Sequence, residues 1–246
     1  MRSSTTSPDT APPELADFYR ANRGGGLFSE AVSQRIGAGL ALAGHRLGLA
    51  PTVLTVANLL VGLVASAVAV AFAGPVSDGD LPAWPVGLAA LLGWQLAYAL
   101  DCADGQLARV TGQRSPAGAR VDILCDVAAQ IALVSALAAT AVAHRPGLPV
   151  WLIAAFAGTW MVNLVTSVMQ AGPNHASMVT STSLPVRLVK LIRDYGAVIG
   201  VAGLVLTVAP ALTVWLLVVF VVVNGGFLLA SIAFSARAAL RSADAG

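Results

Sequence analysis

Asp101, Asp104, Asp122 and Asp126 sit inside or at the edge of stretches that are otherwise apolar. A carboxylate at the centre of a membrane helix costs roughly 2.5–3.5 kcal/mol on insertion scales, so four of them call for a function or a compensating cation. Asp101 and Asp104 are three residues apart, and Asp122 and Asp126 are four apart. On helices, each pair shares a face. The short segment between the pairs makes the two helices antiparallel neighbours, so the four carboxylates can converge on one point. Converging anions need a cation. Hard oxygen donors without a His or thiolate cluster favour magnesium, manganese or calcium over zinc. Carboxylates one helix turn apart on two facing helices can bridge two divalent ions. Two ions can clamp a phosphoryl group through its attacking and leaving oxygens.

The segment between the pairs suits a phosphate ligand. Gly105 lets a ligand approach the backbone, and Arg109 can contact phosphate through two parallel N–H bonds. Ser115-Pro116 reads as an N-cap followed by Pro in the first helical position. The helix that follows then aims its free N–H groups at the same place, where an anion is favoured. Gly118 precedes Asp122 by one turn and leaves room on that face.

Composition fixes the elements that must position these residues. The chain has 246 residues, 57% hydrophobic and 11% charged, with a formal net charge of +2. Its mean hydropathy is +0.79. Soluble domains carry roughly 25% charged residues. A soluble globular protein, a disordered chain and a nucleic-acid binder are therefore excluded, and the apolar excess calls for a bilayer. The apolar runs are continuous and rich in Ala and Leu, which argues against strands. They fall near 51–74, 84–104, 117–143, 148–170, 196–210 and 211–236, the last two divided at Pro210. The expected fold is an all-α membrane protein with six transmembrane helices.

Basic residues set the orientation. Arg2, Arg20, Arg23, Arg35 and Arg46 precede the first run, and Arg109, Arg114 and Arg120 follow the second. Arg187, Lys190 and Arg193 follow the fourth, Arg237 and Arg241 follow the sixth, and only Arg145 lies on the other side. Both termini and the aspartates are then expected on the cytoplasmic face of the inner (cytoplasmic) membrane. The opening residues lack the apolar core of a signal peptide, so the first span is expected to act as the insertion signal. The expected organisation is a flexible tail over 1–27, an amphipathic interfacial helix over 28–49, a six-helix catalytic domain over 50–236 and a cytoplasmic tail over 237–246. Val32, Ile36, Leu40 and Leu47 lie near one face of the amphipathic segment, a pattern for a helix in the headgroup region.

The run Asp101-x2-Asp104-Gly105-x2-Ala108-Arg109-x8-Gly118-x3-Asp122-x3-Asp126 resembles, position for position, the signature of the CDP-alcohol phosphotransferase (phosphatidyltransferase) family. The resemblance implies a homodimeric membrane enzyme that moves a substituted phosphoryl group from a CDP-linked alcohol to a hydroxyl acceptor and releases CMP. It implies that Asp101, Asp104 and Asp122 hold one ion, Mg2+ or Mn2+, and that Asp101, Asp122 and Asp126 hold a second. Asp126 would also be the general base on the acceptor hydroxyl. Gly105, Ala108, Arg109 and Gly118 would cradle the cytidine diphosphate, with Asp104 and Ser115 contributing. Family members often carry a Pro-Asn-x-x-Thr stretch at the start of the first span, and here it reads Pro51-Thr52-Val53-Leu54-Thr55. Thr52 in place of Asn removes the side-chain amide and leaves the turn at Pro51, Thr52 and Thr55 to meet the donor. The implied activity is phosphatidyl transfer from CDP-diacylglycerol to a small hydroxyl acceptor, in phospholipid biosynthesis. The same chemistry with another CDP-alcohol donor and a lipid acceptor is the alternative.

Outside the signature, several residues have two readings. Arg187, Lys190 and Arg193 stand near helical spacing. They serve topology and anionic headgroups, or they form an acceptor site for a phosphorylated alcohol such as glycerol phosphate or inositol phosphate; a neutral acceptor such as serine stays open. Gly196-x3-Gly200 is a helix-packing motif, within the subunit or across a dimer. Trp84, Trp94, Trp151, Trp160 and Trp215 read as interfacial anchors or lipid-facing bulk. Cys102 and Cys125 read as small packing residues. Intramembrane acids also mark ion paths, so a divalent-cation or proton-coupled transporter is the rival of another class. It has no need of Gly105, Arg109 and Gly118 at those spacings.

Overall fold

The computed structural model describes residues 12–22, 26–170 and 194–243. Among these residues it is all-helical, with no strand. The elements are α1 (Leu15–Arg20), α2 (Gln34–Arg46, entered through a π-helical turn at Ser29–Ser33), α3 (Pro51–Ser77), α4 (Ala83–Val110), α5 (Pro116–His144), α6 (Val150–Gln170), α7 (Tyr195–Val208) and α8 (Thr213–Ala243).

Local chemistry starts the helices. Pro51 and Pro116 stand at first-turn positions of α3 and α5, where their missing N–H costs no hydrogen bond. Ser115 is extended, and its Oγ accepts the Gly118 backbone N–H at 3.0 Å. The division at Pro210 is present: Ala209 leaves the helical region (φ −152°, ψ 66°) and a 3-10 turn over Pro210–Leu212 leads into α8.

Four segments are long and apolar enough to cross a bilayer: α3, α4, α5 and Pro210–Ala233. The other two apolar runs are shorter as helices. α7 has 14 residues and at ~1.5 Å per residue spans less than the ~30 Å hydrocarbon core. α6 has 21 residues. The outward faces carry large apolar side chains, Val150 and Val208 among the most exposed at 79% and 74%, a surface that matches lipid rather than water.

The central strut is α4. It packs against α2, α3 and α7, while α5 packs on α3 and α8 on α6. Glycine permits a close crossing between α4 and α7. A Cβ on Gly87 would collide with the Leu206–Thr207 backbone, and one on Gly203 would stand 2.6 Å from Leu91 Cα. We therefore expect Gly87→Val to lower stability by about 1–3 kcal/mol through overpacking. The melting temperature in detergent would read it, with Gly74→Ala as the control, since a Cβ on Gly74 meets nothing within 4 Å.

Three expectations need correction. The tail is not flexible throughout, because Leu15–Arg20 is helical and Phe18 is fully buried beside His45. The amphipathic segment is shorter than 28–49, ending at Arg46 with Gly48 in the left-handed region (φ 66°). Its buried side is a small-residue face, Gly37, Ala38, Ala41 and Gly44, while Val32, Ile36 and Leu47 are exposed. That division lets the helix lie flat on α4 and still turn an apolar edge outward. Trp94 and Trp160, finally, are not lipid-facing. Each is 2% exposed, against 60% or more for Trp84, Trp151 and Trp215. Both buried indoles find interior partners, Trp94 Nε1 donating to Ser66 Oγ and Trp160 Nε1 to Gln130 Oε1, each at 3.0 Å. Gly196 and Gly200 pack within the chain, Gly196 against Phe28, Ser29 and Ser33 and Gly200 against Gln95. Cys102 and Cys125 are free thiols, Cys125 buried.

Candidate active site

Two helices bring the aspartates together. Asp101 and Asp104 occupy the C-terminal half of α4, and Asp122 and Asp126 the first turns of α5. Asp101, Asp122 and Asp126 each offer an oxygen within 4.8 Å of the others. Asp101 and Asp126 lie side by side, with Asn58 of α3 facing the same space. Asp104 is turned to one side. Its Oδ2 accepts the Thr55 hydroxyl at 2.6 Å, and it is 5% exposed.

This set fits a divalent cation. All donors are hard carboxylate oxygens, the kind that Mg2+, Mn2+ and Ca2+ prefer. Asp122 Oδ1 is buried with no hydrogen-bond partner among the described residues. A buried carboxylate oxygen without a donor is costly, and an ion among the three carboxylates would satisfy it. Thr55 fixes the carboxylate of Asp104, which the family signature implies as a further ligand. Such outer-shell bonds are typically worth 10–100-fold in metal affinity. Thr55→Val should raise the metal concentration for half-maximal activity about tenfold, and Thr55→Ser should restore it. A Thr55→Val enzyme with unchanged metal dependence would remove this role.

Beside Asp104 and Asp122 lies a cavity of about 220 Å3. Every residue expected to meet the CDP donor lines it: Pro51, Thr52 and Thr55 from α3, Asp104, Gly105, Ala108 and Arg109 from α4, and Ser115 and Gly118 around the start of α5. The glycines serve the cavity as spacing suggested. A Cβ on Gly105 would come within 2.8 Å of Arg109 Nη1, so the guanidinium lies over the bare α-carbon. At Gly118 a Cβ would crowd the capping Ser115 Oγ at 3.1 Å. Cap and glycine together leave the α5 N-terminus open, where an anion is favoured. Gln113 and Arg114 also line the cavity. Neither stands in the signature, and Arg114 drew notice only as a marker of orientation.

The CDP-alcohol phosphatidyltransferase family profile matches residues 48–223, so it takes in α3 to α7 and the aspartate-bearing turn. The chain belongs to this family. It is thus a transferase acting on a CDP-alcohol, a multi-pass integral membrane protein, and a member of a family that is generally divalent-cation dependent. No curated protein matches the sequence.

A second cavity, of about 210 Å3, lies on the other side of the aspartates. Asp101 and Asp126 line it, whereas Asp104 and Asp122 line the first. Its wall includes Asn58, Tyr98, Gln130, Trp160 and Tyr195, none of which sequence reasoning had placed at the site. A signal existed: Asn58 follows Thr55 by three residues and Gln130 follows Asp126 by four, polar groups at helical spacing inside apolar runs. The acceptor candidates Arg187, Lys190 and Arg193 lie outside the described residues.

Proposed function

We propose that the transferase moves a phosphatidyl group from CDP-diacylglycerol to a small hydroxyl acceptor and releases CMP, in phospholipid synthesis at the cytoplasmic face of the inner membrane. The observation that carries this reading is the partition made by the aspartates. A cavity lined by the signature residues stands on one side and a second cavity on the other. Two substrates and one reacting phosphorus call for such an arrangement.

The donor pyrophosphate lies against Arg109 and the α5 N-terminus, with Gly105, Ala108 and Gly118 giving it room. Two bound divalent ions, Mg2+ or Mn2+, would neutralise the pyrophosphate and polarise the transferred phosphorus. Asp101, Asp104 and Asp122 would hold one, and Asp101, Asp122 and Asp126 the other. The acceptor oxygen attacks the phosphorus that bears the diacylglycerol. Asp126 takes the hydroxyl proton as that bond forms. The bond from this phosphorus to the bridging oxygen breaks, and CMP leaves with the electron pair. The catalysis is positioning and electrostatics.

The same reading has six crossings, with α6 and α7 completing the set, the bilayer thinning around the 14-residue α7, and both termini cytoplasmic. The segment that ends at Arg46 lies at the interface, 50–236 forms the catalytic bundle and 237–246 a second tail. The enzyme works as a homodimer. The test is CMP release by purified protein in liposomes with CDP-diacylglycerol, Mg2+ or Mn2+, and a panel of hydroxyl acceptors. Release with one acceptor, abolished by a chelator, is expected. Release only with a different CDP-alcohol and a lipid acceptor would reverse which substrate carries the lipid.

A further inference from the structure

Asp194 joins two helix starts and sets the direction of a hydrogen-bond chain that ends at Tyr98, on the wall of the second cavity. We infer that this chain makes the Tyr98 oxygen a dedicated hydrogen-bond acceptor for the alcohol substrate, with Ser29 and Asp194 as its positioning residues. The inference rests on the transfer reading above, in which the alcohol gives its proton to Asp126 on the same wall.

The anchor comes first. Asp194 is 3% exposed and caps α7, its Oδ1 accepting the Ala197 backbone N–H at 3.4 Å. Its Oδ2 accepts the backbone N–H groups of Phe28 and Ser29 at 2.8 and 3.0 Å. These two groups stand at the entry to the π-helical turn, where a helix start leaves N–H groups without an intrahelical partner. The Ser29 hydroxyl donates to Oδ1 as well. One carboxylate thus ties the juxtamembrane turn to α7. Two glycines leave room for the junction. A Cβ on Gly26 would collide with the Asp194 carboxylate, and one on Gly196 would stand 3.0 Å from Ser29 Oγ.

Direction follows from counting protons. A carboxylate can only accept, so the single Ser29 hydroxyl proton is committed to Asp194. Ser29 Oγ is also 3.0 Å from Tyr98 Oη. With the serine proton spent, the phenol must be the donor of that pair. Its proton points at Ser29, and its oxygen keeps lone pairs with nothing further to donate.

Tyr98 lines the second cavity together with Asp126 and with Asp101, which follows it by about one turn of α4. Tyr195 holds the ring edge to face, with centroids 4.9 Å apart. A wall group that only accepts selects a ligand that donates, because an analogue without the donor leaves it unpaired. The reacting hydroxyl gives its proton to Asp126. Tyr98 therefore serves a second donor of the alcohol, a neighbouring hydroxyl or an ammonium.

Asp194→Asn tests the direction with little change of shape. The amide oxygen keeps the Phe28 and Ser29 N–H groups, and the NH2 group takes the place of Oδ1. It donates to Ser29, which frees the serine proton for Tyr98 and turns the phenol proton towards the cavity. Purified full chain in liposomes receives CDP-diacylglycerol, Mg2+ and the alcohol that supports CMP release. Wild type, Asp194→Asn, Tyr98→Phe and the double variant are compared. Each single variant should lower kcat/KM for the alcohol about tenfold, the worth of one good hydrogen bond, and leave the KM for CDP-diacylglycerol unchanged. The double variant should be no worse than Tyr98→Phe alone, since no phenol is left to direct. A purely structural Asp194 would act equally with and without the Tyr98 oxygen, so additive losses overturn the inference. An unchanged kcat/KM in Tyr98→Phe also overturns it, and that result holds even if Asp194→Asn does not fold. If no alcohol releases CMP, the transfer reading falls, and calorimetric titration of serine, inositol and glycerol 3-phosphate decides the chain by itself. Affinity for one of them lowered alike in Asp194→Asn and Tyr98→Phe keeps it; affinity unchanged in either variant, or no binding of any of the three, ends it.

Discussion

Asp126→Asn is expected to lower CMP release about 10³-fold while leaving the protein folded and able to bind a CDP-alcohol. The substitution keeps shape and removes both the proton-accepting oxygen and a charged ligand of the Asp101–Asp122–Asp126 cluster. Binding survives because the proposed donor cavity is lined by Asp104 and Asp122 and not by Asp126. Turnover and binding should therefore separate. The check is a paired measurement of kcat and CDP affinity, with folding followed by melting temperature. A variant that keeps more than a tenth of wild-type kcat would remove Asp126 from the reaction. A variant that loses CDP affinity as steeply as kcat would mean that the two cavities are not independent.

Arg109→Lys is the second large effect. The guanidinium lies over Gly105 and lines the CDP cavity, where its planar fork can hold two phosphate oxygens at once. Lysine keeps the charge and loses the fork. Hydrogen bonds to charged groups are worth about 1.5–3 kcal/mol, so kcat/KM for the CDP-alcohol should fall by roughly 10–150-fold. Most of the loss should appear in donor KM, with acceptor KM unchanged. Equal activity of Arg109→Lys and wild type would show that a point charge suffices. In that case bidentate recognition plays no part.

The aspartate cluster was legible in the sequence because its physics is local. Four acids in apolar helices at spacings of three and four residues must share faces. Ser115-Pro116 carries its own capping chemistry, so the start of α5 could be placed without tertiary information. The same holds for the division at Pro210, where the ring cannot continue a helix. What stayed hidden depends on which side of a helix faces lipid. In a bilayer the surroundings are as apolar as the core, so hydropathy alone does not separate Trp94 and Trp160, which are buried, from Trp84, Trp151 and Trp215, which are exposed. The second cavity was hidden for the same reason, since it is walled by Trp94, Trp160, Asn58 and Gln130 on four different helices. Phe18 is another case. A short polar stretch with one aromatic reads as tail until His45 and α2 supply a place to bury the ring.

One experiment tests the central claim against its rival. Purified protein in sealed liposomes is given CDP-diacylglycerol, a hydroxyl acceptor and Mn2+ on the outside. CMP, new phosphodiester lipid and luminal Mn2+ are followed together. The account predicts CMP and new lipid in equal amounts, both abolished in Asp126→Asn and by a chelator, with no Mn2+ entering the lumen. Aspartate-dependent entry of Mn2+ without CMP would contradict it and make the four carboxylates an ion path.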